Sequence, residues 1–352
     1  MKELNHKKLS TALEKIGADK HIFSAVIKVE NGDASQSWIG STGSMKPTDQ
    51  YFVASVTKLY VSAIIIQLIE EGILKLEDKL SKYLSDSILD GLHIYKGVDY
   101  SRELNVRHLI SNTSGIPDYF FHKDQSGKTA ADDLLLGNDQ AWPLEKSIGL
   151  VKQLKPNFKP GAKAAYSDSN YQLLGKIIEV VTNLSFSEAL DKYVVSKLGL
   201  QNTYLYRDIK DLAPAPFYYE EKKLWLPAYM ASIGPEGGVV STASDQNFFL
   251  KAFFSGALFP KERIEELKQW RMIFPPPGLF YFGIGLEKLF IPWFFSPFKY
   301  PGEILGFWGQ TGSFSFYSPK SDLFFSGTTN QINGRGHRKA ASFIINTIKA
   351  AL

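Results

Sequence analysis

The chain has 352 residues, 44% of them apolar and 22% charged, which is the balance of a globular protein with ample material for a core. Forty Lys and Arg face 36 Asp and Glu, for a net charge of +4, and the two signs are interleaved without a basic stripe, so nucleic acid is not an expected partner. With no cysteine, disulfides, thiol catalysis and Cys-metal sites are excluded together.

In chain order, Met1 to Lys8 is charged and lacks the apolar core of a signal peptide. A cytoplasmic location is therefore expected for the sequence as written, and a periplasmic or secreted one if a leader was removed. No apolar run reaches the roughly 18 residues of a membrane span, and Leu289–Phe295 is short and broken by Pro292. Residues 7–17 read as an amphipathic helix. His21 to Glu30 and Ser35 to Gly40 read as strands around an Asn31-Gly32 turn. Ser55 opens a helix running to Glu71 and closed by Gly72. Helix-like segments then alternate with Gly, Pro and Asn loops to about Leu200, with Val106–Asn112 and Tyr171–Thr182 the clearest. A helix over Ser244–Gly256 follows. Strand-like runs come next at Tyr281–Leu286, Ile304–Phe307, Ser313–Ser318 and Leu323–Thr329, and a final amphipathic helix spans Arg338–Leu352. Strands at both ends with helices between predict one sheet built from both termini, helices on both of its faces, and the terminal helices sharing a face. The corresponding division is a sheet domain over 1–75 and 231–352, with a mainly helical insertion over 76–230.

Ser55-Val56-Thr57-Lys58 carries the chemistry. A serine and a lysine three apart on a helix share a face, and an amine can activate a serine without histidine. A second copy, Ser296-Pro297-Phe298-Lys299, contains a proline that would disrupt such a face. Other informative segments are Val106–Tyr119, a helix ending in a Gly/Pro turn, Pro160–Tyr171, a polar loop with Tyr166-Ser167-Asp168 entering a helix, Gly237–Asp245, also leading into a helix, and Trp308-Gly309-Gln310-Thr311-Gly312-Ser313, which begins a strand.

Together, in this order, these segments resemble the penicillin-recognising serine hydrolases, in the branch of class C β-lactamases, D,D-peptidases, D-aminopeptidases and family VIII esterases. The resemblance runs from about Ser24 to the last helix. It implies an α/β (α+β) fold of the β-lactamase/transpeptidase type, with a mixed, mainly antiparallel sheet flanked by helices. In that family the motifs are S-x-x-K, Y-x-N and a [K/H/W]-x-G strand. Here the first is intact. The second has Asp168 where Asn is usual, and the third has Gln310 where a Lys or His is usual.

The resemblance implies Ser55 as nucleophile, Lys58 as its base and Tyr166 as proton shuttle, its phenol pKa lowered by Lys58. The N–H groups of Ser55 and Ser313 would form an oxyanion hole. Asp168, Gln310, Thr311 and Gly312 would line the substrate, Gly312 leaving room for its approach. His108 and Ser111–Gly115 are read as framework, and the aromatic stretch Phe280–Phe298 as packing, a lid or a substrate wall. The expected function is a serine acyl hydrolase with an ester, β-lactam or peptide substrate, and without metal or cofactor. A neutral Gln310 and an anionic Asp168 favour esterase or D-peptidase-like activity over β-lactamase or D,D-carboxypeptidase activity. A catalytically weak penicillin-binding or regulatory module is the alternative from another class. An α/β-hydrolase is disfavoured because the chain has no G-x-S-x-G elbow, and a metalloprotease because it has no H-E-x-x-H.

Overall fold

The computed structural model describes residues 3–123, 126–273, 280–291, 300–332 and 334–352. Its main sheet has eight strands, in the spatial order Arg271–Met272, Phe280–Phe282, Glu287–Leu289, Ile304–Trp308, Ser313–Ser318, Leu323–Thr328, Ser24–Asn31 and Ser37–Gly43. Each neighbouring pair is antiparallel. The first strand in sequence pairs with the last, one strand in from the edge of the sheet, where Val26 sits opposite Thr328 and Val29 opposite Phe325.

Strand alternation divides the core. Ala25, Ile27 and Val29 face one way, onto Leu9, Leu13 and Ile16 of the helix His6–Gly17 and Phe343, Ile344 and Ile348 of the helix Arg335–Ala351. The two terminal helices thus share a face, as expected. Val26 belongs to the opposite core, with Phe249 and Phe253 of the helix Ala243–Ser255. Each such fully buried Ile or Phe contributes about 2 kcal/mol from removal of apolar surface.

The helix Thr57–Glu70 runs through this second core. Every residue from Thr57 to Leu68 is buried, so no polar face exists to place it at the surface. A short 3-10 turn, Ala54–Val56, precedes it and holds Ser55, and Gly72 follows at φ +71°. A second, three-stranded sheet orders Tyr51–Phe52, Val239–Ser241 and Tyr204–Leu205 side by side. It docks the segment before Ser55 onto the Gly237-Gly238 segment, through Val53 N–H donating to Val239 O at 3.0 Å.

Some boundaries differ from expectation for local reasons. The strand expected over Tyr281–Leu286 is a hairpin of Phe280–Phe282 and Glu287–Leu289. Gly285, at φ +66°, makes the turn possible, and Gly283 N–H donates to Leu286 O at 2.8 Å. The Asn31-Gly32 connection is longer than a two-residue turn. The Asn31 side chain closes it by donating to Ser35 Oγ and accepting from Gln36 N, both at 2.9 Å. Ser296–Lys299 and residues 292–298 of the aromatic stretch lie outside the described residues. Among the described residues no helix is long and apolar enough to cross a membrane.

Candidate active site

Ser55 sits where three structural units meet. Ala54, just before it, adopts φ +45°, a left-handed conformation that a non-glycine residue holds only when its surroundings impose it. Here the surroundings are strands. Thr311 Oγ1 donates to Phe52 O at 2.8 Å and Ser313 Oγ donates to Val53 O at 2.5 Å. The third motif is thereby stitched to the carbonyls ahead of the serine, and Ser313 and Ser55 lie on adjoining segments. The hydroxyl of Thr311 is a structural clamp in this arrangement.

Lys58 follows one turn later and is fully buried. Its Nζ lies 3.1 Å from Ser55 Oγ, 2.6 Å from Glu236 O and 2.6 Å from Asp168 Oδ1. The ammonium also stands over the Tyr166 ring, 5.1 Å from its centroid, and 5.4 Å from that of Tyr171. Tyr166 OH donates to Ser55 Oγ at 2.8 Å. The serine oxygen is therefore held between an amine and a phenol, both within proton-transfer distance.

Asp168 is the first residue of the helix Asp168–Thr182, where a carboxylate suits the helix dipole. Its backbone N–H donates to Asp118 Oδ2 at 3.2 Å. Asp118 also accepts from the N–H groups of Phe120 and Phe121, at 2.6 and 3.1 Å. Burial, and then the neighbouring Asp168, push the Asp118 carboxyl up to about 7. Glu236 is buried as well. Tyr119 OH donates to its Oε1, and its Oε2 has no hydrogen-bond partner among the described residues. Burial and then Asp168 raise the Glu236 carboxyl well above the usual range. Burial raises Glu287 to about 8, although its Oε2 accepts the Trp308 N–H at 3.0 Å.

The same surroundings correct the expectation for Tyr166. Desolvation pushes its phenol well above the ordinary value, and Asp168 adds to the rise, as do Glu287 and Asp118. Burial first, and then the nearby carboxyl groups, keep Tyr166 a neutral hydroxyl in the resting site. The expected role of Gly312 is corrected too. It adopts φ +83°, and a Cβ there would meet Thr329 Oγ1 at 2.5 Å and the Gln331 backbone N at 2.9 Å. Backbone geometry and packing against residues 329–331 require glycine here, and the room it leaves is filled by protein.

A cleft opens beside Ser55. Asp168, Glu236, Gln310 and Thr311 contribute to it, and its walls are Phe120, Leu134, Leu135, Phe217, Leu226, Tyr229, Met230, Ile233 and Ile332. Apart from Lys58 behind the serine, no Lys or Arg lines the cleft among the described residues. The apolar wall comes from the 120–135 and 217–233 segments.

Residues 9–347 match the family described as Beta-lactamase. The chain belongs to the Beta-lactamase family. Among curated relatives, penicillin-binding protein 4* of Bacillus subtilis strain 168 is 29% identical over 216 residues, which are 58% of this chain and 43% of the relative. Protein flp of Staphylococcus aureus strain MW2 is 30% identical over 157 residues, 45% of this chain and 28% of the relative. The chain thus spans less than half the length of these curated relatives. Among solved structures, a D-stereospecific amidohydrolase from Streptomyces sp. superposes with a TM-score of 0.79 at 25% identity, covering 96% of this chain and 98% of that one. The D-amino acid amidase of Ochrobactrum anthropi SV3 superposes at 0.77 with 18% identity, over 97% and 99% of the two chains, and shares the fold.

Sequence reasoning missed Asp118, Glu236 and Glu287. Asp118 stood in a quoted segment, three residues past the part read as framework, without a role assigned, and Glu236 stood one residue outside the Gly237-Gly238 segment. A glutamate between Pro235 and two glycines, far from any basic run, was the available signal.

Proposed function

We propose that the protein is a serine acyl hydrolase that forms an acyl-enzyme on Ser55 with ester or amide substrates. The observation that carries this reading is the position of Ser55 Oγ, 3.1 Å from Lys58 Nζ and 2.8 Å from Tyr166 OH. Lys58, as a neutral amine, takes the Ser55 proton while Oγ attacks the substrate carbonyl. The N–H groups of Ser55 and Ser313 receive the oxyanion. Tyr166, a neutral phenol, protonates the leaving group, and the same residues activate the water that releases the acyl group.

The substrate side of the proposal rests on the cleft. Its walls are largely apolar, its third motif contributes the neutral amide residue Gln310, and Asp168 and Glu236 are its acidic lining residues. Such a site favours a neutral or amine-bearing apolar acyl group over a carboxylate. Similarity to a D-stereospecific amidohydrolase supports the amide side of this reading. β-Lactamase and D,D-carboxypeptidase activities, which act on carboxylate-bearing substrates, are correspondingly disfavoured.

Labelling with a fluorophosphonate, followed by a panel of neutral esters, D-amino acid amides and benzylpenicillin, tests the proposal. Labelling at Ser55 with faster turnover of the neutral substrates is expected. A protein that binds benzylpenicillin without turning over any substrate is instead the binding or regulatory module.

A further inference from the structure

Lys58 as found cannot act as a base. Its Nζ faces Ser55 Oγ, Glu236 O and Asp168 Oδ1, and a fully buried amine beside a carboxylate at 2.6 Å is an ion pair. An ammonium donates to Ser55 and accepts nothing from it. Tyr166 does not replace it, because its desolvated phenol keeps its proton. The site needs an acceptor for the proton that Lys58 already holds, and a buried lysine has no water to give it to.

We propose that Asp168 is that acceptor: before acylation a proton passes from Lys58 Nζ to Asp168 Oδ1, leaving a neutral amine against Ser55. One N–H bond breaks and one O–H bond forms, so an ion pair becomes a neutral pair and nothing leaves the site. The amine then takes the Ser55 proton as Oγ bonds to the carbonyl carbon and the carbonyl electron pair moves onto oxygen. When the tetrahedral adduct collapses, the proton returns through the Tyr166 hydroxyl to the leaving group. Lys58 is again an amine and Asp168 still an acid.

The surroundings support the neutral pair. Burial penalises both charges of an ion pair, and a neutral pair escapes that penalty. Asp118, Glu236 and Glu287 bring further carboxyl groups to the same site, and Tyr119, Tyr166 and Tyr171 supply no cation. An amide at position 168 could hold the lysine but could not take its proton. The aspartate therefore makes Asp168 the proton-accepting partner of Lys58, acting on the reaction through it.

The inference rests on Ser55 being the nucleophile, and the test separates the two. The rate of fluorophosphonate labelling of Ser55 is followed from about pH 5 to pH 10 in the wild type and in Asp168→Asn, with folding checked by circular dichroism. Wild type is expected to label at a rate that is flat from about pH 6 to pH 9, because the proton moves within the pair. Asp168→Asn is expected to label about 100-fold more slowly near pH 7 and to recover as pH rises and Lys58 loses its proton to solvent, within the range for general-base loss. Labelling of Asp168→Asn at the wild-type rate, or a deficit equal at every pH, overturns the relay and leaves Ser55 in place. If Asp168→Asn does not fold, the wild-type profile decides alone: a rise of about tenfold per pH unit, as for a lysine titrating against solvent, overturns the relay. A wild type that leaves Ser55 unlabelled at every pH overturns both readings.

Discussion

Asp118 accepts the backbone N–H of Asp168 at 3.2 Å, so a second carboxyl group adjoins the Asp168–Lys58 pair. Burial and the charge of Asp168 raise Asp118 to about 7, from a model-peptide value of 3.8. The folded protein therefore binds a proton at Asp118 that the unfolded chain releases between about pH 4 and 7. This contribution to stability is complete below pH 4 and is lost as pH rises toward 7. Asp118→Asn carries no such proton. Its melting temperature relative to wild type is expected to rise as pH increases from 4 to 8, read by thermal denaturation at each pH. A difference that does not change with pH would show that Asp118 stays ionised in the fold.

Lys58 is the only partner the Asp168 carboxylate has at 2.6 Å among the described ion pairs, and both side chains are buried. Removing one member leaves an uncompensated charge. Lys58→Ala is expected to lose about 3–5 kcal/mol of stability by that argument, together with its activity. Lys58→Met combined with Asp168→Asn is expected to regain most of the stability and none of the activity. Chemical denaturation of the single and double variants measures the coupling.

Tyr166 donates to Ser55 Oγ at 2.8 Å and is held as a neutral phenol. Tyr166→Phe keeps the ring against Lys58 and removes the proton. On an amide, whose leaving group needs protonation, kcat is expected to fall about 100-fold or more. On an ester with an activated leaving group the loss is expected to be smaller. Equal turnover of the amide by wild type and Tyr166→Phe would remove the tyrosine from the mechanism.

Much of this was legible in the sequence. Hydrophobic runs near both ends placed the sheet strands and the two terminal helices, since period-2 and period-3.6 patterns survive in any context that buries one face. Spacing picked out Ser55 and Lys58, the family resemblance added Tyr166 and Asp168, and the structure links the four through Tyr166–Ser55, Ser55–Lys58 and Lys58–Asp168 contacts. The carboxyl cluster was not legible. Asp118 and Glu236 become unusual only through burial against segments distant in sequence, Asp168 for the one and Tyr119 for the other, and no local pattern records it. The direction of the Tyr166 shift was misjudged for the same reason, because the lysine was visible in sequence and the surrounding carboxyl groups were not. Thr311 lines the cleft and also clamps the Phe52 carbonyl, while Gly312, expected to leave room for substrate, packs against residues 329–331.

Gln310 lines the same cleft as Asp168, and no lysine or arginine lines it among the described residues. Gln310→Lys is expected to raise kcat/KM for carboxylate-bearing substrates relative to neutral esters, since a charge-assisted hydrogen bond is about twice as strong as a neutral one. Competition between benzylpenicillin and a neutral ester measures the change. An unaltered preference would mean that position 310 does not meet the substrate.

The central claim is that Ser55, activated by Lys58, carries the acyl group. Mass spectrometry of the protein trapped with a slowly hydrolysed ester or a fluorophosphonate tests it most directly. The adduct is expected on the peptide containing Ser55 and absent from both Ser55→Ala and Lys58→Ala. An adduct mapped to any other serine, or one that persists in Ser55→Ala, would contradict the account.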